Sequence, residues 1–422
     1  MKMMSVWVSA LLALFVSACT SVNDDDKVVI GVATDAEKQV LIHYLPWFAD
    51  ENYAQEPSRH WSHGTVNEAL VGEYDSQSWA TQLYHILLSA AVGVDGAMIN
   101  IRTDYDKDAL SIFMESLERV RAVYPDFAYH ISASIDDQDK TEALAQQEFE
   151  YIAELIDNYT TYLHKNGKPV IFIWAYNNLT PAQYRSIADQ VFGEDEVILV
   201  QNDIDTSAVA DEINMNAFYP WVKGFADDGS DWGEVYLDWF YRTSADYLTD
   251  NKQEFIVAGV WPGFDDRQVN WYGDDYAGRW IDRADGAIYD NTWQLIDTFN
   301  NEWQQDIATE DISIDWVVIE TWNDFNEGSE IEPIAATADT ESFQYLKLTD
   351  SYITNFKATD SVLDADDELL NAAVKIYQAA KLIDDGDRAS ANYYSTLEQA
   401  IEAYLKADAE GASDYAETII DG

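Results

Sequence analysis

Short apolar runs recur along most of the chain: "VLIHYLPW" (40–47), "GAMINI" (96–101), "AYHISAS" (128–134), "PVIFIWA" (169–175), "VILVQN" (197–202), "NAFYPW" (216–221), "FIVAGVW" (255–261) and "WVVIETW" (316–322). Their length and their richness in β-branched and aromatic residues predict strands. The longer segments between them place apolar residues every three or four positions. "DALSIFMESLERVRAVY" (108–124) and "QQEFEYIAELIDNYTTYLHK" (146–165) are two examples, and each predicts a helix. Strands apolar on both faces that alternate with helices form a parallel sheet. Eight such units in one run predict an α/β fold of the closed (β/α)8 TIM-barrel type. An open doubly wound sheet is the runner-up, but no Gly-rich phosphate turn follows the first run.

The pattern changes at both ends. Beyond about Ser361, "DELLNAAVKIYQAAKLIDDGD" (367–387) carries Leu370, Val374 and Tyr377 at helical spacing, and "NYYSTLEQAIEAYLKADAEG" (392–411) carries Leu397, Ile401 and Tyr404. With Gly386 between them they predict a helical hairpin packed on the barrel. At the start, Lys2, an apolar segment from Val6 to Val16 and then Ser17-Ala18-Cys19 have the layout of a secretory signal. The signal resembles that of bacterial lipoproteins, in which the cysteine is lipidated, and Thr20 after it resembles those sorted to the outer membrane. An ordinary secretory signal or a short membrane anchor is the alternative. The expected organisation is therefore a signal at 1–19, a tether at 20–37, a barrel at 38–360 and a helical hairpin at 361–422. No later segment approaches the roughly 18 apolar residues of a spanning helix, so the expected membrane contact is through lipid on Cys19 alone, with the protein facing the periplasm or the cell surface.

Charge narrows the partners. The chain of 422 residues has 24 basic and 78 acidic side chains, a formal charge of −54, which repels phosphate backbones and argues against nucleic acid. Its 15 Trp and 26 Tyr fit another partner, because flat rings with polar tips stack on sugar faces as well as filling cores. Cys19 is the only cysteine, so the folded part has neither a disulfide nor a cysteine-based metal site.

In a (β/α)8 barrel the working face lies at the carboxyl ends of the strands. Those ends carry His43, Tyr44, Asn100, His130, Trp174, Gln201, Asn202, Tyr219, Trp261 and Trp322, where packing alone would be content with Val and Leu. Stacking faces and amides of this kind suit a polyhydroxylated ligand. The last run continues into "TWNDFNEGSEIEP" (321–333), where Asp324 and Glu327 stand three apart before Gly328. In a turn or a first helical turn, that spacing puts both carboxylates on one side. Glycoside hydrolysis needs such a pair, one carboxyl protonated to donate to the leaving oxygen and one ionised as base or nucleophile. In a purely structural reading, Asp324 caps the following helix and Glu327 bonds an arginine. Asn323 bonds a sugar hydroxyl or holds the turn, and Glu320 and Glu332 support the pair or form ion pairs with arginines. His60 and His63 have a spacing that admits a metal, but their loop offers no obvious carboxylate partner, so contact with ligand or packing is expected, with no metal and no cofactor.

These residues resemble a family. "TWNDFNEGSEIEP" is similar to the last-strand motif of glycoside hydrolase family 99 and the related family 71. "IHYLPWF" (42–48), which includes Trp47, resembles their first-strand motif, and "RHWSHG" (59–64), with His60, Trp61 and His63, the loop after it. "LVGEYDSQ" (70–77) and "GVDGAMIN" (93–100) resemble the segment leading into strand two, and "DRADGAIYDNTW" (282–293) more weakly resembles an Arg-containing loop. The resemblance implies a (β/α)8 endo-acting α-mannosidase that retains configuration. It gives Asp324 the base role toward the sugar 2-hydroxyl and Glu327 the acid/base role, and places His43 and Tyr44 on the floor of the site. Two departures stand out: an Asp occupies the base position where those enzymes carry Glu, and "MINIRTDYD" (98–106) lacks their Trp-Tyr pair. An inverting route, an α-1,3-glucanase-like activity and a glycan-binding lipoprotein without turnover remain as alternatives.

Overall fold

The computed structural model describes residues 30–31, 38–49, 60–174, 178–204, 214–223, 230–269, 277–303, 312–338, 340–388 and 390–422. Cys19, the expected signal at 1–19 and the expected tether up to residue 37, apart from residues 30–31, lie outside them. Eight parallel strands follow the chain: β1 (Gln39–Tyr44), β2 (Gly96–Ile101), β3 (His130–Asp136), β4 (Lys168–Trp174), β5 (Ile198–Asn202), β6 (Ala217–Tyr219), β7 (Ile256–Val260) and β8 (Ile314–Ile319). They pair in the order β7-β8-β1-β2-β3-β4-β5-β6. The last seam is nearly closed: the Glu254 N–H donates to the Asn216 carbonyl at 2.7 Å, just before β6 and β7. Gly259 permits the approach, because a Cβ there would stand 2.9 Å from Pro220. The fold is a (β/α)8 barrel, and each of the eight predicted runs supplies one strand.

Among the described residues, seven helices of the barrel layer lie between and after the strands: α1 (Trp79–Ala91), α2 (Asp104–Val123), α3 (Glu142–Asn158), α4 (Pro181–Phe192), α5 (Glu234–Thr249), α6 (Ala287–Thr298) and α7 (Gln344–Lys357). Their starts follow local chemistry. Thr103 and Asp106 form a capping box on α2, and Thr180 and Gln183 form one on α4, which has Pro181 in its first turn. The helix expected over 146–165 ends instead at Asn158, because a short strand at His164–Lys165 turns back at Gly167 onto Lys168 at the start of β4.

Strand alternation divides the core in two. Val40, Ile42, Ala97, Ile99, Ile171, Ile173, Val317 and Ile319 face the helices, whereas Leu41, Met98, Val170, Phe172, Val200, Val257, Trp316 and Val318 fill the barrel. The C-terminal unit has three helices, not the expected two: α8 (Asp367–Asp384), α9 (Ala391–Leu405) and α10 (Ala409–Asp421). The third buries Ala412, Ala416 and Ile419 along one face. The unit leans on α1, where Tyr84 meets Tyr377 at 5.2 Å and Ser78 donates to Asp384 at 2.7 Å.

Candidate active site

The carboxyl end of the barrel is built around the chain that leaves β8. Glu320 continues the ladder, donating its N–H to Val260 at 2.8 Å, and the peptide after it is cis. The chain then folds on itself. Thr321 donates to Ser329 at 2.9 Å, Glu332 donates to Trp322 at 2.8 Å, and the Trp322 N–H reaches back to the His43 carbonyl at 2.8 Å. Gly328 turns the chain at φ +59°, where a Cβ would also press on Val66 at 2.9 Å. Arg283 fastens this loop from the side, donating to the carbonyls of Gly328 at 3.0 Å and Glu330 at 2.8 Å and pairing with the buried Glu330 carboxylate at 2.8 Å.

Asp324 and Glu327 come together on this loop. The Asp324 N–H donates to Thr321 Oγ1 and the Glu327 N–H donates to Asp324 Oδ1, each at 2.9 Å. Asp324 thus caps a turn, where the structural reading expects the start of a helix, and that same bond fixes the two acids relative to each other. Both carboxyls titrate high. Burial pushes Asp324 up to about 7, aided by the charge of Glu330 and opposed by donated N–H groups and His43. Glu327 is raised well above the ordinary carboxyl range, first by burial and then by the charge of Asp324, with Arg279 opposing. Arg279 is itself held by the buried Asp266, with its Nε at 2.9 Å from Oδ2. The charge of an ionised Asp324 thus disfavours a second charge on Glu327, so the pair favours one carboxylate beside one carboxylic acid.

A second pair lies beside the first. His43 Nδ1 stands 2.6 Å from Glu320 Oε2, with both groups buried. The His43 ring touches Trp174 at 5.4 Å and Trp221 at 5.6 Å, and these two indoles meet edge to face at 4.2 Å. Several buried polar atoms at this level have no hydrogen-bond partner among the described residues: His43 Nε2, Glu320 Oε1, Asn100 Oδ1, Ser134 Oγ and Asn202 Nδ2. Buried polar atoms are nearly always satisfied, so a ring of open ones at the working end of a barrel suits a ligand rich in hydroxyls.

The other expected contacts divide. Tyr219 is fully buried on the inner face against Phe172 at 5.5 Å. Trp47 and His60 form a ring pair at 4.8 Å, His63 follows His60 at 5.4 Å, and Asn326 ties down His60 with Nδ2 to its carbonyl at 3.0 Å. Burial and the charge of His63 lower His60 to about 3, so it is neutral at working pH.

Five residues expected to touch substrate have packing roles instead. Tyr44 points outward from β1 to His85 at 3.1 Å and Phe113 at 5.2 Å. Trp261 is buried in the helix-facing layer and donates to the Trp232 carbonyl at 3.0 Å. Trp322 is buried against His85 at 5.6 Å. Trp61 packs on Phe48 at 4.3 Å and donates to the Tyr74 carbonyl at 2.8 Å. Asn323 has both ends of its amide committed to the Leu45 backbone, at 2.8 and 2.9 Å. The supporting acids also have partners other than the expected arginines: Glu320 pairs with His43, and Glu332 lies 3.2 Å from His85. Residues not singled out from the sequence include Trp221, Asp266, Arg279 and Glu330. Of these, Trp221 was accessible, because it follows Tyr219 by two positions and so shares its face.

No family model and no curated protein sequence matches the chain. Solved structures do. The endo-α-mannosidase of glycoside hydrolase family 99 from Bacteroides thetaiotaomicron, in complex with bis-tris-propane, superposes with a TM-score of 0.58 at 16% identity, over 76% of this chain and 98% of that one. A second structure of that family 99 enzyme gives 0.58 at 14% identity, over 77% and 98%. A glycoside hydrolase-like protein gives 0.55 at 15% identity, over 80% and 98%. At these identities the likeness is one of fold, and it is the fold that the sequence motifs resemble.

Proposed function

We propose that this protein is a glycoside hydrolase that cleaves an α-linked poly- or oligosaccharide, with Glu327 as acid and Asp324 as base. The observation that carries this reading is a buried Asp324 and a half-buried Glu327 set on one turn at the working end of the barrel, with Asp324 pushed up to about 7 and Glu327 raised well above the ordinary carboxyl range. The protonated Glu327 donates its proton to the glycosidic oxygen as the bond to the anomeric carbon breaks. The ionised Asp324 accepts a proton from the sugar 2-hydroxyl, which then closes on the anomeric carbon, or from a water that attacks it. In the second step of that route, water attacks the anomeric carbon and gives a proton to the Glu327 carboxylate, while the bond to the 2-oxygen opens and that oxygen recovers its proton from Asp324. Arg279, held by Asp266, limits the cost of the Glu327 charge. The fold likeness to an endo-α-mannosidase supports α-mannosides as the first substrates to try, with α-glucans second.

A glycan-binding protein without turnover is the second reading, favoured by the bond from the Glu327 N–H to Asp324, which is also what a structural cap requires. Incubation with α-mannans, α-glucans and marine polysaccharides, followed by mass spectrometry and anomeric NMR beside Glu327→Gln, separates the two. Products from the wild type alone establish the hydrolase, and the first-formed anomer separates the two-step route from direct attack by water. Glycan binding without products in either protein supports the second reading. We also read Cys19 as a lipid anchor to the outer membrane, supported by the residues before it. Incorporation of labelled palmitate, lost in Cys19→Ser, is the expected result.

A further inference from the structure

Four large apolar residues are exposed among the described residues: Leu144, Val235, Trp239 and Tyr415. Leu144 and Tyr415 stand singly on different helices. Val235, 82% exposed, and Trp239, 40% exposed, stand four apart on the first turns of α5 and so share one face. Isolated apolar side chains on a surface need no explanation, but an open indole backed by a second apolar residue does. The patch is also linked by contacts to the carboxyl end of the barrel. Trp174 meets Trp221 at 4.2 Å inside the barrel mouth. The Tyr236 hydroxyl bonds the Trp221 backbone and donates to Asp203 at 3.0 Å, just past β5. Lys223 lies over the Tyr236 ring at 4.7 Å, and Trp239 lies one ring further out, 6.1 Å from Tyr236 at an interplanar angle of 32°. A chain of contacts, ring to ring at its two ends and through the Trp221 backbone in the middle, thus links Trp174 to Trp239.

We propose that Trp239, with Val235 beside it, is a glycan-binding platform that holds a length of neutral polysaccharide outside the cleft. This inference rests on the hydrolase reading for its ligand class. The chemistry favours a sugar over a protein. Two side chains are far too small for a stable protein interface, which takes roughly 800 Å² from each partner, whereas one indole matches the apolar face of one sugar ring. Asp238 and Arg242, paired across one helical turn at 3.0 Å, flank the indole with groups that can bond hydroxyls. A chain with a formal charge of −54 disfavours an anionic polymer on an open surface.

The test uses affinity gel electrophoresis in soluble α-mannan and in dextran, with Glu327→Gln compared against Glu327→Gln/Trp239→Ala so that neither protein digests the gel. The single variant should be retarded, and the double variant should bind roughly three- to tenfold more weakly. In the active protein, Trp239→Ala should raise KM for polymer by the same factor and leave kcat, and all kinetics on a trisaccharide, unchanged, while Trp239→Phe keeps most of the affinity. Equal retardation of single and double variants, with products still formed by the wild type, overturns this proposal alone. Loss of trisaccharide turnover in Trp239→Ala also overturns it, since Trp239 would then be supporting the fold. No retardation of Glu327→Gln in either gel and no product from the wild type overturn the platform and the hydrolase together.

Discussion

The two ends of the barrel interior share the same strands and almost nothing else. Below, Leu41, Met98, Val170, Val200, Val257, Trp316 and Val318 form a dry, filled core, with the ammonium of Lys165 lying over Trp316 at 4.9 Å. Two residues further along the same strands, on the same face, stand His43, Asn100 and Glu320, with Trp174 and Asn202 at neighbouring strand ends. The lower layers supply hydrophobic stabilisation, while the upper layer holds buried carboxyls away from water and leaves polar atoms without partners, both of which cost stability. The fold thus carries at one end a strain that its other end offsets, and that division is where the proposed chemistry would lie.

Substitutions should separate the two ends. The largest effect belongs to the acids: Asp324→Asn keeps an oxygen for the Glu327 N–H and so keeps the turn, yet product formation should fall by about 10²–10⁴. Asp324→Ala should lose the same activity and also about 1 kcal/mol of stability, read by chemical denaturation, because the cap goes too. Next comes the dry core. Leu41→Ala should cost about 2–5 kcal/mol in stability while leaving KM unchanged in the surviving folded protein. Glu320→Ala removes one member of a buried pair and should cost a comparable 3–5 kcal/mol or so, with activity lost as well. Asn100→Ala should act in the opposite sense to Leu41→Ala, changing stability by less than about 1 kcal/mol but raising KM roughly two- to tenfold. The pH profile sharpens the same contrast. With Asp324 lifted to about 7, activity should rise as pH climbs through that value, well above where an exposed aspartate would set the limb.

How much of this was legible from sequence follows from the physics of each feature. The barrel was, because strands buried on both faces carry apolar runs that periodicity detects. The acid pair was, because a turn after the last strand places residues three apart together. Side-chain direction was less so: His43 and Tyr44 are adjacent at the end of β1, yet one faces the cleft and the other faces α1 and α2. Strict alternation from Leu41 would have separated them. Arg279 and Asp266 were out of reach, because they meet through an antiparallel pairing of Phe264–Asp265 with Trp280–Ile281 that two residues per strand cannot announce. The helix α10 was open to the same reading as its neighbours, since Ala412, Ala416 and Ile419 recur at helical spacing.

One sample of Glu327→Gln tests the central claim most directly, with melting temperature and product release read together. Folded Glu327 keeps a proton that the unfolded chain releases near pH 4. Its contribution is therefore least harmful below that pH and increasingly unfavourable as pH climbs toward the folded value. Removing the ionisable group should raise the melting temperature by about 1–4 °C at pH 8, and less at pH 5, while product release falls at least about a hundredfold. A lower melting temperature at pH 8 with turnover retained would contradict the assignment and make Glu327 a structural partner of Arg279.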